Sequence, residues 1–152
     1  MRAGLNYVDT SPFYGQGRSE EVLGRALRRV PRHTYYIGTK VVGGSAGGTG
    51  TPQVGRYGAT WETAFDFSEE RILKEFDLSL QRLQLSYVDI IQIHDFEFAQ
   101  DPVKIALETL PVLEKIVRSG RARCCQAETA VFVAGISGSR ASPWKSSTGC
   151  WT

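Results

Sequence analysis

Segments typical of strands and of helices alternate along most of this chain. Three short apolar runs are typical of strands: residues 5–9, 35–41 and 87–95. Three longer segments with helical periodicity follow them: residues 19–30, 66–85 and 102–118. Such alternation predicts βα units around a parallel sheet, because parallel strands need crossover connections. The predicted fold class is therefore α/β.

The ends of these helices carry typical boundary residues. Ser19 is predicted to cap the first helix, and Pro31 cannot continue it. Asp66 or Ser68 is predicted to cap the second helix, and Gly120 lies where a C′ glycine would close the third. The polar segments between these boundaries are predicted to be loops.

Length and composition indicate one soluble globular domain. Of the 152 residues, 41% are hydrophobic and 22% are charged. The net charge of +2 is too small to predict nucleic acid or a membrane as a partner. Neither a spanning helix nor the apolar core of a signal peptide is found, so we expect a cytoplasmic protein. The three cysteines lack C-x-x-C spacing, and we predict no metal site.

Residues 42–55 have a different composition from the rest of the chain. They are rich in glycine and show no periodicity, which predicts a flexible loop. A phosphate-binding loop is the functional alternative. It has little support, because the segment has no G-x-x-x-x-G-K-[ST] pattern and no helix begins directly after it.

Ionisable side chains occur where each predicted strand ends. The three strands end near Asp9, Lys40 and His94, and Tyr14 follows the first of them. The carboxyl ends of parallel strands share one edge, where α/β proteins place their active sites. A phenol has a pKa of about 10, and a neighbouring ammonium stabilises its ionised form. The four side chains therefore indicate an acid–base site that protonates an alkoxide or deprotonates an alcohol.

Each of these residues also has a purely structural interpretation. Asp9 would cap a turn, and Tyr14 would pack within a loop. Lys40 would be an exposed strand end, and His94 would be a histidine whose hydrogen bonds are satisfied locally. These interpretations remain open for each residue alone, but they do not explain why three strand ends carry ionisable groups.

Several motifs resemble the aldo-keto reductase superfamily of NAD(P)-dependent (β/α)₈-barrel oxidoreductases. They are VDTSPFYGQGRSEEVLGRAL at 8–27, IGTK at 37–40 and DIIQIHD at 89–95. Residues 55–98 are similar to the branch that contains L-galactose and D-arabinose dehydrogenases. The resemblance covers about residues 3–41 and 54–123.

The resemblance implies a role for each of the four site residues. Tyr14 would be the general acid/base, Lys40 would tune it, and Asp9 would hold Lys40 and contact the cofactor. His94 would align the substrate oxygen, so Tyr14 and His94 would bind substrate. The cofactor would be NAD or NADP, and the substrate an aldose or another sugar-like carbonyl or alcohol. A complete protein of this kind would be a monomer.

The chain also departs from the family pattern. A complete barrel needs about 250 residues, so we expect an incomplete TIM (β/α)₈ barrel of three or four parallel βα units. A fourth strand is predicted at 130–136. The predicted domains are a partial barrel at 1–123, with a glycine-rich insertion at 42–55, and an aberrant, disordered tail at 124–152. Such a chain would expose strand edges and would be marginally stable.

Three functional hypotheses follow. The first is an NAD(P)-dependent oxidoreductase that acts on a sugar-like substrate. The second is a non-catalytic, truncated fragment of such an enzyme, with most cofactor contacts in the missing part. The third is a small flavodoxin-like binding module, because βα alternation also suits an open sheet.

Overall fold

The computed structural model describes residues 4, 6–43, 66–96 and 101–127. Within them lie four strands, three α-helices and one short 3₁₀ helix. In chain order these are β1 (Tyr7–Asp9), α1 (Arg18–Leu27), the 3₁₀ helix (Arg32–Thr34), β2 (Tyr36–Val41), α2 (Glu69–Leu83), β3 (Val88–Ile93), α3 (Pro102–Arg118) and β4 (Ala122–Ala127). The three predicted strands and the three predicted helices are confirmed. The strand predicted at 130–136 lies outside the described residues, as does nearly all of the glycine-rich insertion.

The strands form one parallel sheet in the order β1-β2-β3-β4. Strand order therefore follows chain order, as it does around a (β/α)₈ barrel. A flavodoxin-like sheet places its first strand between the second and the third, so that hypothesis is wrong for this chain. The prediction of three or four parallel βα units is confirmed by the described strands.

The hydrophobic core lies between one face of this sheet and the helices. Successive residues of a strand point to opposite faces, and Ile37 and Val41 of β2 and Ile91 and Ile93 of β3 are buried on the core face. The helices contribute large side chains to the same core: Ile72, Phe76, Leu83, Leu113 and Ile116. The intervening residues of β2 and β3, which include Lys40, therefore lie on the opposite face. No helix in the described ranges is long and apolar enough to cross a membrane.

The N-cap of α1 differs from the prediction, whereas the N-cap of α2 is one of the two predicted residues. Helix α1 begins one residue before Ser19, and its N-cap is Gly17, which has φ 85°. The Ser19 hydroxyl lies 2.8 Å from the hydroxyl of Thr10 instead, so the prediction for Ser19 is wrong. Ser68 occupies the N-cap position of α2 without a side-chain hydrogen bond. Its backbone N–H donates to Asp66, which lowers the pKa of that carboxyl.

Strand β4 was missed in the sequence. It pairs with β3 through Ile93 and Ala127, and it crosses the predicted domain boundary after residue 123. Its sequence, ARCCQA, lacks the run of branched apolar residues that marks the other strands. Most of its side chains are only partly buried or exposed, so hydrophobic periodicity does not identify it as a strand. Residues 128–152 lie outside the described part of the chain, and the predicted disorder of the tail stays a prediction.

Helices α1 and α2 approach closely at Gly24. A Cβ atom at this position would lie 2.9 Å from the backbone carbon of Leu83 and would also clash with the carbonyl oxygen of Arg82. Backbone atoms of a helix cannot move away as a flexible side chain can. The helix contact therefore requires glycine here.

We predict that Gly24→Ala lowers the free energy of unfolding by about 2 kcal/mol or more. The gain in helix propensity from alanine, about 1 kcal/mol, does not offset the clash. Arg25→Ala, on the exposed side of the same helix, is the matched control and should be nearly neutral. Urea denaturation of both variants tests this, and equal stability of the two would contradict it.

Candidate active site

The ammonium group of Lys40 lies inside the protein at the end of β2. Lys40 is 1% exposed, and burying an ammonium is costly unless its charge is compensated. Its Nζ atom lies 2.5 Å from Asp9 Oδ2, 3.3 Å from the Thr10 carbonyl oxygen and 3.2 Å from the Tyr14 hydroxyl. An ammonium has three N–H donors, so these three oxygens are well matched to it.

The register of the sheet brings Asp9 to this ammonium. Asp9 ends β1 and is paired with Gly38, which lies two residues before Lys40 on the same face of β2. The second carboxylate oxygen of Asp9, Oδ1, accepts a hydrogen bond from the Tyr7 hydroxyl at 3.2 Å. The Asp9 side chain remains 38% exposed. One side of the ion pair is therefore open.

Tyr14 lies in the turn formed by residues 11–17, between β1 and α1. Ser11 stabilises this turn, because its carbonyl accepts from the backbone N–H of Tyr14 at 3.1 Å and its hydroxyl accepts from that of Phe13 at 3.1 Å. The turn places the Tyr14 hydroxyl beside Lys40, whereas 40% of the residue stays exposed. The phenol is therefore accessible and next to a cation at the same time.

His94 follows β3 and continues its pairing with β2, since its backbone N–H donates to the Val41 carbonyl at 3.0 Å. The ring is buried and packs edge-on against Tyr14, with the ring centroids 5.7 Å apart, and against Phe13 at 5.8 Å. Its Nδ1 atom lies 3.4 Å from Asp95 Oδ1. The imidazole is therefore held beside the phenol.

The structure thus brings together all four residues that the sequence singled out. Lys40 lies between Asp9 and Tyr14, and His94 contacts Tyr14 from the other side. The interpretation of Lys40 as an exposed strand end is wrong, because burial removes it from solvent. The roles that the family resemblance implies for the four residues are not decided by this geometry and remain predictions.

Some neighbours of the site were missed in the sequence. The carbonyl of Thr10 and the ring of Phe13 belong to the turn, and neither group has a sequence signature. Gln92 pairs with Lys40 in register and is 7% exposed, and its Oε1 atom has no hydrogen-bond partner in the described ranges. The sequence does contain a signal for Gln92: it is a polar residue within an apolar run, two positions before His94.

A buried ion pair supports the site from the helix side. The Glu20 carboxylate is fully buried and accepts from the Thr39 hydroxyl at 2.6 Å and from Arg82 Nε at 2.6 Å. Glu20 lies in the first turn of α1, directly after the Tyr14 turn, and Thr39 precedes Lys40. The pair therefore connects the segment that carries the phenol to the strand that carries the ammonium.

The model of the Aldo/keto reductase family matches residues 1–127 of the chain. The chain belongs to the aldo/keto reductase family. It is 43% identical over 125 residues to L-galactose dehydrogenase of Arabidopsis thaliana, which is 81% of this chain and 34% of that protein. It is 36% identical over 121 residues to D-arabinose 1-dehydrogenase of Saccharomyces cerevisiae, covering 77% of this chain and 30% of that protein. The chain thus spans about a third of the length of these relatives.

Solved aldo-keto reductases also share the fold. The holo form of an aldo-keto reductase from Bacillus halodurans superimposes with a TM-score of 0.61 and 28% identity, over 83% of this chain and 37% of that one. Glycerol dehydrogenase from Gluconobacter oxydans has a TM-score of 0.58 and 28% identity, over 83% of this chain and 35% of that one. The described sheet and helices correspond to part of the family's barrel. Within the described residues, no group of three or more His, Cys, Asp or Glu could hold a metal ion.

We predict that Asp9→Asn lowers the free energy of unfolding by about 1–3 kcal/mol, because it leaves the Lys40 ammonium buried without a carboxylate. Adding Lys40→Met should recover part of this loss, since it removes the uncompensated charge. The control is Glu69→Gln, which breaks an exposed 2.6 Å ion pair with Lys115 and should change stability by less than about 1 kcal/mol. Chemical denaturation of the variants tests this, and equal effects of Asp9→Asn and Glu69→Gln would contradict it.

Proposed function

We propose that the protein to which this chain belongs is an NAD(P)-dependent oxidoreductase that acts on an aldose or a related sugar-like carbonyl or alcohol. The observation that carries the proposal is the buried Lys40 ammonium, which bridges the Asp9 carboxylate and the accessible Tyr14 phenol. Family membership supports the reaction class. We also propose that its partner is a small molecule. The predicted cytoplasmic location and monomeric state are part of the proposal.

The proton-transfer group in this proposal is Tyr14. Oxidation of an alcohol requires a base, and a phenolate beside an ammonium is stabilised by their opposite charges. Lys40 is 3.2 Å from the phenol oxygen and supplies that charge. In the reverse direction the Tyr14 hydroxyl returns the proton to the alkoxide oxygen. Asp9 maintains the cation in its buried position.

His94 orients the substrate in this proposal. Its ring is fixed against Tyr14 and Phe13, so a substrate oxygen that reaches the phenol also lies next to the imidazole. An imidazole nitrogen can hydrogen-bond a hydroxyl or carbonyl oxygen. Tyr14 and His94 would therefore bind the same oxygen atom and present its carbon for reaction.

The residues present fit a nicotinamide cofactor. The Asp9 side chain remains partly exposed although one of its oxygens binds Lys40, so a hydroxyl of the cofactor could donate to it. A bound nicotinamide supplies the hydride acceptor or donor that no side chain can supply. The cofactor in this proposal is NAD or NADP. One relative, 33% identical over 135 residues, is the NADH-specific methylglyoxal reductase of Escherichia coli.

The substrate class in this proposal is supported by the two sugar dehydrogenases among the relatives. L-galactose dehydrogenase and D-arabinose 1-dehydrogenase share 43% and 36% identity with this chain. The second name states oxidation at C1 of an aldose. We therefore propose that the reaction of this protein converts the anomeric hydroxyl of an aldose to a lactone carbonyl.

We predict that the protein to which this chain belongs, once purified, reduces NAD or NADP in the presence of L-galactose or D-arabinose. Methyl glycosides of the same sugars should not react, because their anomeric hydroxyl is blocked. Tyr14→Phe should lower kcat by about 100-fold or more, since it removes the proton-transfer group. Tyr36→Phe, a comparably exposed tyrosine away from Lys40, is the matched control. Absorbance of the reduced nicotinamide provides the measurement.

Two outcomes would contradict this proposal. Turnover that Tyr14→Phe leaves unchanged would exclude the phenol as the proton-transfer group. A folded protein that turns over none of these sugars with either cofactor would favour the alternative of a non-catalytic, truncated fragment of such an enzyme.

A further inference from the structure

The two oxygens of the Asp9 carboxylate have different partners. Oδ2 lies 2.5 Å from Lys40, and Oδ1 accepts a hydrogen bond from the Tyr7 hydroxyl at 3.2 Å. Tyr7 lies two residues before Asp9 in β1, so both side chains are on the same face of the strand. A second phenol therefore touches the ion pair, at the carboxylate oxygen other than the one bound to Lys40.

Gly38 makes room for this contact. It lies opposite Asp9 in the sheet register, and a Cβ atom there would lie 2.7 Å from the Tyr7 hydroxyl oxygen and 3.3 Å from Asp9 Oδ1. Gly38 does not have the positive φ that would itself require glycine. The absence of a side chain at this position is therefore explained by the space that the Tyr7 hydroxyl and the Asp9 carboxylate occupy.

We propose that Tyr7 is a positioning residue for the acid–base group, which acts on Tyr14 through Asp9 and Lys40. This inference rests on the proposed function, because it concerns the proton transfer assigned to Tyr14. By donating to Oδ1, the Tyr7 hydroxyl fixes the carboxylate plane with Oδ2 toward Lys40. It also withdraws negative charge from the carboxylate, as a hydrogen bond to an anion does. Four residues thus form one hydrogen-bonded series: Tyr7, Asp9, Lys40 and Tyr14.

The expected effect follows from the hydrogen bonds of the Asp9 carboxylate. Without the Tyr7 hydroxyl, Oδ1 loses this donor and the carboxylate turns more freely about its Cβ–Cγ bond. The contact between Oδ2 and the Lys40 ammonium then opens more often, and the ammonium protons exchange faster with water. The cation is therefore held less firmly beside the Tyr14 hydroxyl.

The test is ¹⁵N NMR of the lysine side chains, with the Lys40 signal assigned by its loss in Lys40→Met. Tyr7→Phe should accelerate hydrogen exchange of the Lys40 ammonium by roughly 2- to 10-fold, the size expected from the loss of one exposed hydrogen bond to a charged group. Tyr36→Phe is the matched control. Tyr36 is the register partner of Tyr7 and is similarly exposed, and its hydroxyl makes no hydrogen bond to Asp9, so it should leave the exchange rate unchanged.

Gly38→Ala provides a second, independent route to the same contact. The added methyl group should displace the Tyr7 hydroxyl and accelerate exchange of the Lys40 ammonium in the same way. In the Tyr7→Phe background it should add little, because the hydroxyl is already absent. An exchange rate that is the same in wild type and Tyr7→Phe would overturn the inference, as would equal changes in Tyr7→Phe and Tyr36→Phe.

The exchange measurement uses neither substrate nor cofactor, so this inference and the proposed function fail separately. Faster exchange in Tyr7→Phe of a protein without sugar turnover would support the role of Tyr7 and contradict the proposed function. Sugar turnover that depends on Tyr14, together with unchanged exchange in Tyr7→Phe, would support the proposed function and contradict the role of Tyr7.

Discussion

The buried charge of Lys40 is the constraint on which the site depends. An ammonium inside a protein is stable only when nearby oxygens replace the water that it has lost. Here a carboxylate from β1, a carbonyl from the following residue and a phenol from the next turn take that place. Because both groups compensate the Lys40 charge, Asp9 and Tyr14 contact the same ammonium group. The arrangement that compensates the Lys40 charge also places the Tyr14 hydroxyl 3.2 Å from that cation.

The sheet makes this compensation possible. Parallel pairing in chain order brings the ends of β1, β2 and β3 side by side, and their register sets Asp9, Lys40 and His94 at neighbouring positions. The helices contribute on the opposite face through the core and through the ion pair of Glu20 and Arg82. Fold and site are thus linked, because the same strands that exclude water from the core bury the cation.

Much of this could be predicted from the sequence, because its signals are local. Apolar runs that end in Asp9, Lys40 and His94 identify strand ends, and parallel order then predicts that these residues meet. The features that were missed depend on tertiary contacts. Glu20 and Arg82 are far apart in the chain, and the space at Gly38 is explained only by its neighbours across the sheet. Strand β4 contains few branched apolar residues, so its extended conformation depends on its pairing with β3.

The most direct test of the account is ¹⁵N NMR of the lysine side chains. A charged Lys40 held by three oxygens should give an ammonium signal whose protons exchange slowly at neutral pH, distinct from exposed lysines such as Lys104. The signal should be absent in Lys40→Met, and its exchange should accelerate in Asp9→Asn. A Lys40 signal that exchanges as fast as those of exposed lysines, or that Asp9→Asn leaves unchanged, would contradict the account.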